Sequence, residues 1–371
     1  MKVIHVPGEA SFGGIAKLVM TLVNQQIRSG DVEPAVLFTA VRGEYIQLFK
    51  DAGVPLLYCE MLRGWSVGYG KYRKARAIFE QFDVVHFHYF NPFLAWCAVK
   101  SGRKIVYTEH GNFGFGRKNG VSDLVKKAML NRFLGRHKDC LTFNSEFTAG
   151  VARQRYDLKG IRQKLVYNGV DQIDANGHPE RVDSAIRARL EGKYVIGTSS
   201  RFAGFKRIDR LLEGFSMFLK QCPRSILLLV GDGALRGDLE KLARELGIVD
   251  QVVFTGFREN VSDYQSAMNL CVFPSENEPF GLVAVETLLL GKPTLVFRDG
   301  GGLVEIIGGI DEQDVVDNVE GLCARMLHYY NHRVEASTME SNRRHYAGRF
   351  NAVDMEVAFR EVYEVVVQCA A

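Results

Sequence analysis

Residues 270–297, LCVFPSENEPFGLVAVETLLLGKPTLVF, decide the fold. An apolar run over 270–274 ends in the polar turn Ser275-Glu276-Asn277. Glu278-Pro279-Phe280-Gly281 follows, then a helix-like run to Leu290, then Gly291-Lys292-Pro293 and a second apolar run. Strand, loop, helix, strand is one unit of an α/β domain. Ligands of such sheets bind where strands end and helices begin. Glu278 falls on that rim, and Glu286 follows on the helix.

Eight helical residues rise about 12 Å, and somewhat less here because Pro279 sets Glu278 outside the helix. That is the scale of a nucleotide-sugar from hexose to ribose. Carboxylates accept hydrogen bonds from paired hydroxyls, and a helix start offers free N–H groups to an anion. The plainer alternative is that Glu278 caps the helix and Glu286 is an ordinary surface glutamate. Spacing alone leaves both open.

The chain has 371 residues and 47% hydrophobic content, enough for one large or two medium α/β domains with real cores. No apolar run approaches the roughly 20 residues of a membrane-crossing helix. The N-terminus MKVIHVPGEASFGG reads as a first strand and is too short in apolar residues for a signal peptide. Seven scattered cysteines without C-x-x-C fit reduced thiols in the cytoplasm and argue against a zinc site. The net charge of +4 conceals a split. Residues 1–170 hold 25 Lys and Arg against 13 Asp and Glu (+12), and residues 171–371 hold 22 against 30 (−8). Opposite signs suggest two domains with different partners.

Working outward, strand-like runs in the first half fall at 2–7, 34–40, 55–60, 83–89, 104–109, 140–144 and 164–167, with helical runs such as 14–28, 43–52 and 71–82 between them. This rhythm predicts a mostly parallel sheet covered on both faces. After the first strand, Gly8 to Gly14 opens a helix; its glycines permit close approach to a phosphate or an acceptor, or simply a tight turn. It is not G-x-G-x-x-G, which argues against a dehydrogenase. His86 and His88 share one side of a strand, but no third metal ligand is apparent, so a structural or acceptor-facing role is favoured. His110 ends another strand ahead of a glycine-rich loop. The basic stretch 117–138 has apolar residues spread around the helix, which favours a partly buried helix over a surface anchor. In the second half, Arg201 and Lys206 follow a strand with a glycine between them, a fork and a point charge suited to a pyrophosphate, or ordinary surface cations. Arg207 and Arg210 read as surface charges.

Six motifs together resemble the retaining glycosyltransferases of the GT-B fold, family 4 (glycosyl transferases group 1). They are E-P-F-G-x-x-x-x-E at 278–286, D-V-V-H-x-H at 83–88, T-x-H-G at 108–111, N-G-V-D at 168–171, the Arg201…Lys206 pair and G-G-x-x-E at 301–305. The resemblance spans nearly the whole chain and is strongest over 193–305. It implies an α/β fold of two facing Rossmann-like domains with parallel sheets. The acceptor-side domain would be 1–170, with a C-terminal helix at 352–369 packing back on it; 171–192 would be a linker and 193–351 the nucleotide-sugar domain. It further implies that Glu278 holds the donor sugar's hydroxyls and Glu286 the ribose. Arg201 and Lys206 would hold the diphosphate, and His110 would border the transferred sugar. Gly13 and Gly14 would lie beside the phosphates and acceptor, Phe257 would meet the base through its backbone, and Phe280, Gly281 and Leu282 would complete the donor pocket. The catalytic set would be His110, Glu278, Arg201 and Lys206.

The implied reaction moves a hexose from a UDP- or GDP-sugar to a glycan or lipid-linked acceptor with retained configuration, in bacterial cell-surface polysaccharide or glycolipid synthesis. No cofactor, no metal and no nucleic-acid partner are expected. The location is cytoplasmic, with the inner face of the plasma membrane as an anionic surface for the basic half. After Glu305 the chain departs from the family, where a glycine-rich loop and short strand read as trimmed to GGIDEQDVVDN. A phosphorylase or epimerase of the same architecture and a non-catalytic partner subunit remain as alternatives.

Overall fold

The computed structural model describes residues 1–8, 14–40, 45–60, 68–111, 125, 128–133, 139–171, 177–333 and 338–368. The chain divides into two compact units, Met1–Gly169 with Asn351–Ala371, and Val170–Phe350.

The first unit carries a seven-stranded sheet in the order β3-β2-β1-β4-β5-β6-β7. Its strands are β1 (Lys2–Gly8), β2 (Glu33–Phe38), β3 (Leu56–Tyr58), β4 (Val84–Phe87), β5 (Lys104–Glu109), β6 (Cys140–Phe143) and β7 (Gln163–Leu165). Every pairing is parallel. Covered on both faces, such strands read as continuous apolar runs rather than alternating ones, which is why VVHF and KIVYTE stand out in the sequence. Helix Pro92–Ser101 starts where Asn91 accepts from the N–H groups of Phe93 and Leu94, with Pro92 in the first turn. The last helix, Ala352–Gln368, returns to this unit and buries Met355, Phe359, Val362, Tyr363 and Val366 against Val3, Leu22, Val84 and Val106.

The second unit repeats the plan with six strands in the order β10-β9-β8-β11-β12-β13. They are β8 (Tyr194–Ser199), β9 (Ser225–Val230), β10 (Val252–Gly256), β11 (Leu270–Phe273), β12 (Thr294–Phe297) and β13 (Val315–Val316), again all parallel. Two sequence readings change here. The short strand after Glu305 is not trimmed away: Val315 and Val316 pair with Val296 and Phe297 as β13. Residues 177–192, read as linker, group with the second unit, where they form a turn at Pro179–Arg181 and helix Ser184–Leu190 and bury Val182 and Leu190.

In both sheets the strand order reverses direction once, between β1 and β4 and between β8 and β11. At such a point the loops leave to opposite sides and open a crevice at the strands' carboxyl ends.

Candidate active site

The second switch point collects the charged residues. β8 ends at Ser199 and leads through Arg201 to Lys206; β11 ends at Phe273 and leads to Glu278. Lys206 Nζ lies 2.5 Å from Glu278 Oε2, with both side chains mostly withdrawn from solvent. The loops bearing them are tied by main-chain bonds. Glu276 N–H donates to the Phe205 carbonyl, Asn277 N–H to the Asp299 carbonyl and Gly302 N–H to the Glu278 carbonyl, each at 2.8 Å.

Side chains reinforce the knot. Arg210 forks onto Asp299 at 2.8 Å to each oxygen, and Arg207 bonds Asp209 at 2.8–3.1 Å and Glu276 at 3.3 Å. Arg207 and Arg210 are therefore half-buried braces, not the free surface charges read from sequence. Arg207 adopts a left-handed backbone (φ 46°), and Asn277 does the same across the loop (φ 51°). Such a conformation in a non-glycine residue costs of order 1 kcal/mol and persists where surrounding bonds over-determine it. Here those bonds fix the turn that presents Lys206.

Glycines at 281 and 302 make the close approach possible. Gly281 sits at φ 98°, and a Cβ there would meet Leu303 Cδ2 at 2.2 Å; one on Gly302 would meet the Pro279 carbonyl oxygen at 2.5 Å. Helix Leu282–Leu289 begins after Gly281 with no side chain capping it, so Glu278 is not its cap. Glu286 lies on this helix and is half-buried. Arg201 is exposed and makes no side-chain hydrogen bond or ion pair among the described residues. Phe257 follows β10 and is 55% exposed. Phe280 is buried edge-on against Phe350, ring centroids 5.8 Å apart, so its side chain is core and not the pocket lining read from sequence. Leu282 is half-buried at the helix start.

The first switch point is lined with histidines. His110 ends β5 with its ring buried, and His88 Nδ1 lies 3.1 Å from His110 Nε2. His88 Nε2 lies 3.1 Å from His5 Nδ1, and His5 Nε2 lies 3.0 Å from Gln26 Oε1. Beside this line, His86 joins the Tyr363 hydroxyl at 2.8 Å and Thr108 Oγ1 at 2.6 Å. Burial holds all four rings neutral: it pushes His5 down to about 4 and His110 down to about 3, and His86 and His88 well below the usual histidine value.

The third partner that the sequence does not reveal is His5, which with His86 and His88 groups closely enough to hold a metal ion. Every one of their six ring nitrogens already has a hydrogen-bond partner, so the arrangement fits a polar network better than a metal centre. Gln26 is equally invisible in sequence; the only signal is a polar pair, Gln25-Gln26, on the buried face of helix Gly14–Ser29. Gly14 starts that helix, and Gly13 lies outside the described residues. So do Arg117, Lys118, Lys126, Lys127, Arg136 and Lys138 of the basic stretch.

Each of the two α/β units thus has a parallel sheet with a polar cluster at its switch point. The chain matches Glycosyltransferase Family 4 over residues 12–172 and Glycosyl transferases group 1 over residues 180–319. It belongs to this family and is a glycosyltransferase of the GT-B fold. Among curated relatives, the D-inositol 3-phosphate glycosyltransferase of Streptomyces scabiei is 27% identical over 346 residues, 82% of this chain and 76% of the relative. The lipopolysaccharide core biosynthesis glycosyltransferase LpsE of Rhizobium meliloti is 29% identical over 199 residues, 49% of this chain and 56% of the relative. The chain spans about three fifths of the length of several other curated relatives it matches. Anabaena Alr3699/HepE, solved in complex with UDP and glucose, superposes with a TM-score of 0.81 at 21% identity over 97% of this chain and 98% of that one.

Proposed function

We propose that the protein transfers a hexose from a UDP- or GDP-sugar to a glycan or lipid-linked acceptor with retention of configuration, in the building of a bacterial surface polysaccharide or glycolipid. The observation that carries this reading is the Lys206–Glu278 pair, a cation and a sugar-binding carboxylate fixed side by side at the β8/β11 switch point. A nucleotide diphosphate-sugar offers both their natural partners. Its phosphates take Lys206 and the uncommitted Arg201, its sugar hydroxyls take Glu278, and its ribose takes Glu286. The family resemblance implies that His110 borders the transferred sugar.

The bond from the anomeric carbon to the diphosphate oxygen breaks, and the acceptor oxygen bonds to the same face of that carbon. The acceptor proton passes to the departing diphosphate. The transition state is oxocarbenium-like, so the main electrostatic task is to stabilise the charge growing on the leaving group, which Arg201 and Lys206 do without a metal. The HepE complex with UDP and glucose supports a uridine donor, and LpsE supports a cell-surface product.

The acceptor reading rests on one face of the first unit. Helix Tyr69–Phe79 carries Lys71, Arg73, Lys74 and Arg76, and Tyr72 lies against the half-exposed Trp96 with ring centroids 4.6 Å apart; Tyr69 is exposed beside them. Basic and amphipathic aromatic side chains together suit the anionic headgroup layer of a membrane. No helix among the described residues is long and apolar enough to cross one.

Thermal melting with UDP, GDP and their sugars tests the donor, because a ligand of the folded state alone raises the apparent stability. A shift with one nucleotide and its hexose, and an NMR spectrum showing the product with the donor's anomeric configuration, is expected. An inverted product, or no shift with any nucleotide, overturns the reading.

A further inference from the structure

The line of buried rings running from Gln26 through His5 and His88 to His110 holds more order than packing requires. Each ring is neutral, so each has one N–H donor and one bare acceptor nitrogen. Consecutive nitrogens stand at 3.0–3.1 Å, so at every contact one side must donate and the other accept. Once one end is chosen, every proton in the line is chosen.

Gln26 makes the choice. Its Oε1 faces His5 and can only accept, so His5 Nε2 bears the proton and His5 Nδ1 is bare. His88 Nε2–H then donates to His5 Nδ1, and His110 Nε2–H donates to His88 Nδ1. His110 Nδ1 is left with a free lone pair and receives no hydrogen bond among the described residues.

The other end of the Gln26 amide, its buried Nε2, makes no hydrogen bond among the described residues; burial raises the Tyr363 hydroxyl well above the usual tyrosine value, and Gln26 opposes that rise only in part. A Tyr363 hydroxyl that keeps its proton can donate to His86 Nδ1 at 2.8 Å. His86 Nε2–H then donates to Thr108 Oγ1, and Thr108 donates to Thr142, each at 2.6 Å. Turning the amide over would reverse the line from His5 and put a proton on His110 Nδ1.

We propose that Gln26, acting through His5 and His88, is a positioning residue that sets the tautomer of His110 and keeps its Nδ1 an acceptor. The step from there to catalysis rests on the reading of His110 as the group beside the transferred sugar. On that reading Nδ1 accepts from a sugar or acceptor hydroxyl, and the reversed tautomer would present a donor to the same hydroxyl and lose that bond.

Long-range 1H–15N correlation spectra of the full chain labelled with 15N-histidine read each ring's tautomer without any substrate. His5, His88 and His110, assigned by single substitution, are expected to be Nε2–H at neutral pH. Gln26→Leu is expected to give mixed tautomers at His110 and about a tenfold lower kcat, with unchanged affinity for free nucleoside diphosphate as the control for folding of the second unit. An Nδ1–H ring at any of the three positions in the unsubstituted protein overturns the proposal, and needs no variant to fold. So does a His110 tautomer that ignores Gln26→Leu. Normal turnover in His110→Gln, with the tautomers as expected, overturns instead the placing of His110 at the sugar.

Discussion

The two switch points share a topology and differ in chemistry. Between β8 and β11 the polar groups are full charges: the mostly withdrawn Lys206–Glu278 pair, and the more exposed pairs of Arg207 with Asp209 and Glu276 and of Arg210 with Asp299. Between β1 and β4 they are neutral rings removed from solvent altogether. A buried charge needs a partner or it neutralises, whereas a buried neutral ring needs only a donor on one side and an acceptor on the other. The charged crevice suits a ligand that brings its own charge, such as a diphosphate. The neutral one suits hydroxyl groups, where direction matters more than field strength.

The sharpest way to break this comparison is to strip the charged side. Lys206→Ala or Arg201→Ala is expected to lower kcat about 10²–10³-fold, the cost of losing one group aimed at developing charge in a sheltered site. Steady-state kinetics with the donor identified by melting decide it. Near-normal kcat in both variants would remove the diphosphate clamp and leave the knot of loops a structural feature only.

Next comes the division within that site. Glu286→Ala is expected to weaken free nucleoside diphosphate and sugar nucleotide alike, by roughly tenfold to a hundredfold for a charge-assisted bond. Glu278→Ala is expected to lose the sugar nucleotide's advantage and spare the free nucleotide, because Lys206 is then released from its 2.5 Å partner to face phosphate alone. Calorimetric titration of both ligands against both variants separates the roles. Equal losses throughout would contradict them.

The neutral side has its own signature in acid. The four buried histidines have folded pKa values below the unfolded value of about 6.5. Between the two values the unfolded chain binds protons that the folded one refuses, so stability rises with pH and is lost as pH falls from about 6.5 toward 4. Each histidine contributes a slope of about 1.4 kcal/mol per pH unit inside that window. Urea unfolding at pH 7.5 and 5.5 is expected to show this loss, and His5→Asn is expected to shrink it. An unchanged midpoint across that range would mean that the rings titrate freely and the neutral network does not exist.

How much of this was legible depended on distance along the chain. Buried parallel strands announce themselves as unbroken apolar runs, so β1, β4 and β5 are readable within a residue or two. β13 is not, because two valines carry no periodic signal and owe their strand to the neighbouring β12. Glu278 and Lys206 could be placed at strand ends because a proline or glycine follows or precedes each within two residues, whereas their roles and that of Glu286 rest on the motif resemblance. The partnership of His5 with His88 spans 83 residues and that of Arg210 with Asp299 spans 89, and no local pattern encodes either. Phe280 shows the opposite case: the motif reads as one rim segment, while the ring of Phe280 turns into the core.

The smallest expected effect is none at all, and it probes the comparison most directly. His5, His86 and His88 are grouped as metal ligands are, and a zinc ion bound there would make the first unit a charged centre like the second. To bind, it would have to break the bonds from these rings to one another, to Tyr363 or to Thr108, in a site closed to water. Neutral imidazole is a good zinc ligand whose second ring nitrogen must find an acceptor for its proton; His5 and His86 have Gln26 and Thr108 for this, but both nitrogens of His88 are engaged by other rings. EDTA is therefore expected to leave both turnover and melting temperature unchanged, and added zinc to leave the melting temperature where it was. A metal held by the folded state alone would raise it by mass action. A zinc-dependent rise abolished by His5→Asn would replace the neutral network with a metal centre, and with it the contrast between the two crevices.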